Sequence, residues 1–343
     1  MAIRANYKPD LDASKNIIKA EKEYGLIPHM PFEEYSERLK HFLTMKRENG
    51  ILEARLHTDG GSLQWGAQAH QGLHYFFDWA GRDPENEIII LGGTDKNLFK
   101  GIGRYDKKEE KWLPATEFSS APHENWKMYD FQYYDGTNDV EGQIFDVEVP
   151  TIGVWNGASF HTDLVLFCDL TLATEDAWTT EMHFRTNMVP GDGIQIAWRE
   201  LMGRKRYAYA ELTGEIITAR KALELGMINE ICTDTEAAYD RAQEIAKLIL
   251  SLGSRTTRRI TTQVLRKPWK EDIANELRLG FSTEMYVTAT DHSPHEAGYW
   301  DRAHEEAELV KAAEKKGKVV RPRIDGGQEE DEIPTSLAKS AAK

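Results

Sequence analysis

Six residues in four short stretches have side chains suited to proton chemistry. "NGASFHTDL" holds His161 and Asp163, two positions apart. "MHFRTNMVPGDG" holds His183 and Asp192 on either side of a Pro-Gly turn. Trp65 lies in "GGSLQWGA" and Glu284 in "LGFSTEMYV". Imidazole titrates near neutrality and suits proton removal from water. A carboxylate beside it orients the ring and stabilises its cation. Each residue also has an ordinary explanation. A lone histidine or tryptophan is commonly core. Asp in "PGDG" is a familiar turn residue that binds its own backbone, and Glu284 fits a helix ion pair.

The elements that must position these residues are those of a soluble α/β protein. The chain has 343 residues, 40% of them hydrophobic and 29% charged, enough for a substantial core. "ILEARLHT" alternates like a half-buried strand, "GAQAHQGLHYFFDWAGR" has helical spacing, and "NEIIILGGT" is a compact apolar run. Strand, helix, strand in this order points to a βαβ unit and a parallel sheet. "VPTIGVWNG" opens a second unit, and "TDLVLFCDLTLAT" carries its helix-to-strand step. "AWRELMGRKRYAYAELTG" reads as one helix closed by glycine. Tyr239 to Leu252 and Asp272 to Tyr286 have helical periodicity.

The expected organisation is an N-terminal extension over 1–30, with a short helix near Ala13–Tyr24. A core follows over 31–245, interrupted by a long excursion at 101–142. A helical region spans 246–312. The polar tail, 313–343, has the composition of a disordered segment or of an arm lying on a neighbour.

Several function classes are opposed. A net charge of -14 is repelled by phosphate backbones and anionic lipid surfaces, so neither nucleic acid nor membrane is expected as a partner. Two cysteines, Cys168 and Cys232, form no disulfide framework or thiolate zinc site. No apolar run approaches the roughly 20 residues of a membrane span. The first residues lack the apolar stretch of a signal peptide, so a reducing cytoplasm is the expected compartment. His161 and His183 lie far apart with no HExxH spacing and no evident third ligand, so no metal is expected. "LGGTDKNLFKGIG" is neither GxGxxG nor a P-loop, and no GxSxG elbow appears.

The middle of the chain resembles the crotonase (enoyl-CoA hydratase/isomerase) superfamily. The run begins at "VPTIGVWNG", passes through "CDLTLATEDAWTTEMHF" and "VPGDG", and continues to "LTGEIITARKALELGMINEI". It covers roughly Leu52 to Thr290, with several segments in order at matching spacing. The fold implied is a ββα spiral core with a C-terminal helical region. Trimers, often paired into hexamers, are implied as the assembly. The departures matter more. CoA-using members carry an "NGxxxGGG" loop whose backbone N–H binds the thioester oxyanion. Here "NGASFHTDL" lacks those glycines. The two hydratase glutamates fall on Asp163 and His183, so one acid has become a histidine.

Within the superfamily, the chain looks most like the β-diketone hydrolase branch typified by 6-oxocamphor hydrolase. "PFEEYSERL", "HTDGGSLQW", "DPENEIIILGGT", "VPGDG" and "LRLGFSTE" carry that likeness. The residues it implies for the chemistry match Trp65, His161, His183, Asp192 and Glu284. On this reading His183 is the base and Asp192 its partner. His161 and the Trp65 indole stabilise the oxyanion or enolate. Glu284 approaches through the fold or from another subunit, and Asp163 is accessory. Trp155, Phe160, Phe184, Met188 and Tyr286 are expected pocket-lining residues, or else core. The expected activity is CoA-independent hydrolysis of a C–C bond in a β-diketone, with no cofactor. Two alternatives remain: a CoA-thioester hydratase, isomerase or hydrolase, and a non-catalytic binding module.

Overall fold

The computed structural model describes residues 12–106, 111–114, 127–291, 298–322 and 328–332. Part of the 101–142 excursion and the end of the tail lie outside these residues. Six strands build the main sheet: β1 (Leu43–Glu48), β2 (Ile51–Leu56), β4 (Ile88–Gly93), β7 (Thr151–Trp155), β9 (Leu170–Thr174) and β12 (Glu230–Cys232). They lie in that order, antiparallel only between β1 and β2. Between them the chain makes short strands in separate sheets. β3 (Leu63–Trp65) pairs with β5 (Phe99–Asp106), which pairs with β6 (Lys111–Pro114). β8 (Ala158–Ser159) pairs with β10 (Trp178–Thr179), which pairs with β11 (Ile217–Thr218).

The chain therefore repeats one cycle: a strand in the main sheet, a short strand in a second sheet, then a helix. α3 (Ala67–Arg82) follows β3, α5 (Asp163–Leu166) follows β8, and α6 (Ile194–Met202) follows β10. This is the ββα spiral. Two helices, α1 (Asp12–Tyr24) and α2 (Phe32–Leu39), precede the sheet. α4 (Gly136–Glu141) stands between two π-helical turns, Lys127–Asp135 within the excursion and Gly142–Asp146 running past its end. α7 (Arg204–Thr213), α8 (Ala219–Leu225), α9 (Thr235–Leu252), α10 (Arg255–Leu265), α11 (Lys267–Thr290) and α12 (Tyr299–Lys315) complete the chain. β13 (Lys318–Pro322) and β14 (Gln328–Glu332) form an antiparallel ribbon where the composition reads as a disordered segment or an arm on a neighbour.

Other local expectations also change. β2 is buried at every position but one, because the main core covers one face, through Leu52, Ala54 and Leu56, and α9 covers the other. Half-buried alternation is thus the wrong pattern for it. The "AWRELMGRKRYAYAELTG" stretch is two helices, α6 and α7, split at Gly203. That glycine has φ 80°, a conformation a helix interior does not allow. Cys168 is buried among apolar side chains, and burial pushes its thiol up to about 12, so it stays an inert hydrophobe.

The largest core cluster fills the space between the main sheet, α3, α6 and α11, and it includes Trp65, Phe99, Phe160, Phe167 and Phe281. A second cluster seats α9 against the other side of β4, β7 and β9 through Ala238, Tyr239, Ala242 and Ala246. α12 closes a third around Trp178, Ile216 and Tyr299. Arg266 ties the α10–α11 corner to the sheet. Its fully buried guanidinium holds Asp169 at 2.8 and 2.6 Å, and it also donates to the carbonyl of Val149 at 3.1 Å and to Thr151 Oγ1 at 2.9 Å.

Candidate active site

The spiral brings the chemically loaded residues to one buried place. His161 follows β8, and Asp163 opens α5 two residues later. His183 follows β10, and Asp192 sits in the turn before α6. Trp65 ends β3. Glu284 comes from α11 of the same chain, so no second subunit is needed to supply it. All six are buried.

Asp192 is the centre. Its Oδ2 lies 3.2 Å from His161 Nδ1 and 3.5 Å from His183 Nε2. Its Oδ1 accepts the Ile194 N–H at 3.3 Å, which fixes the carboxylate at the mouth of α6. Asp163 Oδ1 is 3.5 Å from the same His161 nitrogen but lacks hydrogen-bond geometry. The Trp65 indole stacks on the His161 ring at 4.2 Å between centroids, 26° from parallel. It therefore covers the imidazole face and limits how that ring turns.

Electrostatics follow from burial and crowding. Burial works against a charged His183, but Glu181 and then Asp192 outweigh it and raise its pKa well above the ordinary value. His161 is raised by Asp192 and Asp163 against the same burial cost. Asp192 is held low: burial pushes it up, but His161 and His183 prevail. Burial lifts the Glu284 carboxyl to about 8, with His183 opposing, so at neutral pH it carries its proton. An imidazole near neutrality is the expectation for His183; two carboxylates favour its protonated form.

The sequence misses four members of this neighbourhood. Glu181 Oε1 accepts the backbone N–H of His183 at 2.8 Å and lies 2.6 Å from its Nδ1. His70, in the first turn of α3, pairs with Asp139 of α4 at 2.7 Å and meets the Trp65 ring edge-on. Burial lifts Asp139 to about 6, with His70 opposing. Glu211, on α7, is raised to about 8 by burial and then by Glu181. Two signals were present: Glu181 stands two residues before His183 as the chain leaves β10, and His70 stands five residues after Trp65. Neither forms a motif.

A cavity of about 10 Å³ lies between Trp65, His70, Asp139, His161, Asp163 and Asp192, roughly the room one water needs. The five expected pocket residues do not line it. Phe184 and Tyr286 are 53% and 69% exposed. Trp155 is fully buried in β7 as part of the core. Met188 is buried in the turn after His183, with its N–H on the His183 carbonyl. Phe160 is buried beside His161, with ring centroids 5.2 Å apart.

A third potential metal donor, absent from the sequence reading, does appear. Ligand atoms of His183, Asp192 and Glu284 lie within 4.8 Å of one another. A divalent cation there would need both acids ionised, and burial, which lifts the Glu284 carboxyl to about 8, opposes that.

Glu284 reaches the site through a close backbone approach. A Cβ on Gly191 would meet the Gly280 carbonyl, and one on Gly280 would meet the Gly191 carbonyl at 2.6 Å. Gly280→Ala improves helix propensity by about 1 kcal/mol but forces α11 outward. Stability should change little while kcat falls about 10- to 100-fold, the usual cost of misplacing a working group. An unchanged kcat in the purified variant would remove Glu284 from the chemistry.

Comparisons agree with this architecture. The family model for enoyl-CoA hydratase/isomerase matches residues 77–299. A probable peroxisomal enoyl-CoA hydratase 1 of Arabidopsis thaliana is 28% identical over 199 residues, 57% of this chain and 68% of the relative. Among solved structures, a β-diketone hydrolase from the cyanobacterium Anabaena sp. PCC 7120, bound to (S)-3-oxocyclohexyl acetic acid, is 28% identical. That match covers 76% of this chain and 98% of the other, with a TM-score of 0.66. An enoyl-CoA hydratase/isomerase from Mycobacterium paratuberculosis superposes with a TM-score of 0.63 at 20% identity, over 73% of this chain and 95% of the other. With its spiral of ββα units and a family match over most of its length, the chain belongs to the enoyl-CoA hydratase/isomerase family, the crotonase superfamily of enzymes.

Proposed function

We propose that this chain is a CoA-independent hydrolase that cleaves a C–C bond of a β-diketone by retro-Claisen chemistry. The observation that carries the reading is the buried pair of imidazoles around one carboxylate, His161–Asp192–His183. The reaction adds water across the bond. His183, once deprotonated, takes a proton from water, and the hydroxide adds to one carbonyl carbon. Cationic His161 and the Trp65 indole offer N–H donors to the oxyanion. The C–C bond then breaks toward the second carbonyl, whose enolate takes a proton on carbon. The products are a carboxylic acid and a ketone. Glu284, protonated near neutrality, is placed to return a proton. The similarity to a β-diketone hydrolase supports the reading, and that protein's bound oxocyclohexyl acetic acid points to a cyclic diketone.

A CoA-thioester hydratase is the second reading, favoured by the names of the Arabidopsis and Mycobacterium relatives. Against it, "NGASFHTDL" lacks the glycines of the oxyanion loop and places His161 there.

One experiment separates them. The purified chain is given cyclic 1,3-diketones, and loss of diketone absorbance is followed in buffer alone. Crotonyl-CoA is the parallel substrate. Diketone turnover without CoA is expected; crotonyl-CoA hydration with no diketone turnover would overturn the proposal. Prior dialysis against EDTA should leave the diketone rate within about twofold, because the His183 and Asp192 charges already offset each other. A rate lost to EDTA and restored by a divalent cation would instead make His183, Asp192 and Glu284 ligands.

A further inference from the structure

Glu181 has no part in the reaction as written, yet it makes the shortest contact in the site. We infer that Glu181 is the positioning residue that holds His183 in its working tautomer, and that Asp192 is shared between two imidazoles. The inference rests on the hydrolase reading only for what His183 does, not for how the ring is held.

The geometry is specific. One carboxylate oxygen, Glu181 Oε1, takes both the backbone N–H and the ring Nδ1 of His183. An oxygen that already accepts the backbone N–H accepts from Nδ1 as well, so Nδ1 carries a hydrogen. The proton that moves is then the one on Nε2, which faces Asp192 and the Glu284 side. A carboxylate on the far nitrogen of a working imidazole is the arrangement that fixes ring and tautomer in other His-based sites. Here Glu181 fills that place, and Asp192 stands on the opposite nitrogen. Asp192 also stands on His161 Nδ1. The four residues form one line: Glu181, His183, Asp192, His161.

Burial makes the line rigid. Glu181 is fully buried, and its second oxygen has no hydrogen-bond partner among the described residues. The hydrogen bonds to its carboxylate come from the backbone N–H and the ring of His183. The charged groups facing His183 are Glu181 and His161 from the loops, Asp192 before α6, and Glu284 from α11. Glu211 and Tyr207 of α7 stand behind Glu181. Of these, Glu181 raises the His183 pKa most, which is the direction its contact predicts.

The test compares wild type with Glu181→Gln and Glu181→Asp. First, the His183 imidazole is titrated by NMR on histidine-labelled protein, without substrate. Wild type should show Nδ1 protonated throughout and a pKa well above the ordinary histidine value. Glu181→Gln should lower that pKa by at least one pH unit, and Glu181→Asp, with its shorter reach, by less. Second, kcat/KM is followed against pH on a cyclic diketone. Activity needs deprotonated His183, so the acid limb should move to lower pH in the Gln variant. Its plateau kcat should fall about 10²- to 10⁴-fold with KM within threefold, and the Asp variant should recover part of it. A kcat loss with an unmoved acid limb would make Glu181 structural only and overturn the inference. So would an unshifted His183 titration. If Glu181→Gln does not fold, the Asp variant decides by the same two shifts. Were wild type to turn over no diketone, the hydrolase reading would fail, and the titration would still decide Glu181.

Discussion

Asp192→Asn should lower kcat by about 10²- to 10³-fold and leave KM nearly unchanged. The magnitude is that of losing one oxyanion donor, here the charge support of His161. The substitution is well suited to the question. Asn keeps an oxygen to accept the Ile194 N–H, so the turn before α6 survives. What it loses is the negative charge 3.2 Å from His161 and 3.5 Å from His183. An amide NH₂ in that place puts a donor against protonated His161 Nδ1, which needs an acceptor. Both rings lose the influence that favours their cations, so His161 becomes a weaker oxyanion donor at neutral pH. The same loss should move the acid limb of kcat/KM to lower pH, since His183 then deprotonates more easily. Steady-state kinetics across pH check both parts. A variant within tenfold of wild type at every pH would take Asp192 out of the mechanism.

Arg266→Met should cost about 3–5 kcal/mol of stability, the range for removing one partner of a buried ion pair. Arg266 is essentially unexposed, and its departure leaves the Asp169 carboxylate without its bidentate partner. The same guanidinium also serves the Val149 carbonyl and Thr151 Oγ1. Those acceptors would stay buried without a donor. Denaturant titration should place the midpoint well below wild type, and Tm should fall by roughly 6–10 °C at about 2 °C per kcal/mol for a chain this long. Activity per folded molecule at low temperature should be close to wild type, because the site touches neither residue. Equal stability of the two proteins would contradict this account of the corner.

The two effects live on different links of the same chain. Asp192 acts through charge at the site and Arg266 through the frame that carries it. α11 joins them: it begins one residue after Arg266 and delivers Glu284 nearly five turns later. A loosened corner therefore reaches the chemistry only when α11 itself shifts, which is why the Gly191–Gly280 contact is the more sensitive lever on activity.

Much of this protein was legible in its residues. Periodicity and turn chemistry placed α3, α9, α11 and the strands β4, β7 and β9 to within about five residues, because the helices bury one consistent face and the strands are compact apolar runs. Resemblance, carried by ordered segments, pointed to the spiral fold and to Trp65, His161, His183, Asp192 and Glu284 as site residues. Local rules failed where the neighbours decide. β2 reads as half-buried because α9, which covers its polar face, is not visible in its own sequence. Gly203 reads as tolerable inside a helix until its positive φ shows that the chain turns there. Phe184 and Tyr286 are apolar and adjacent in sequence to site residues, yet they face outward, because side chains one or two positions apart on a turn or helix point in different directions.

The sequence by itself determined which side chains were available for proton chemistry and the order in which the spiral would deliver them. Only the tertiary structure decided how they pair. Asp192 is nine residues from His183 and thirty-one from His161, yet it stands slightly closer to His161. The carboxylate nearest His183 is Glu181, which no motif marks. Pairing depends on distances of a few tenths of an ångström among buried groups. Those distances are set by how β8, β10, α6 and α11 pack against one another, not by the spacing of residues along the chain.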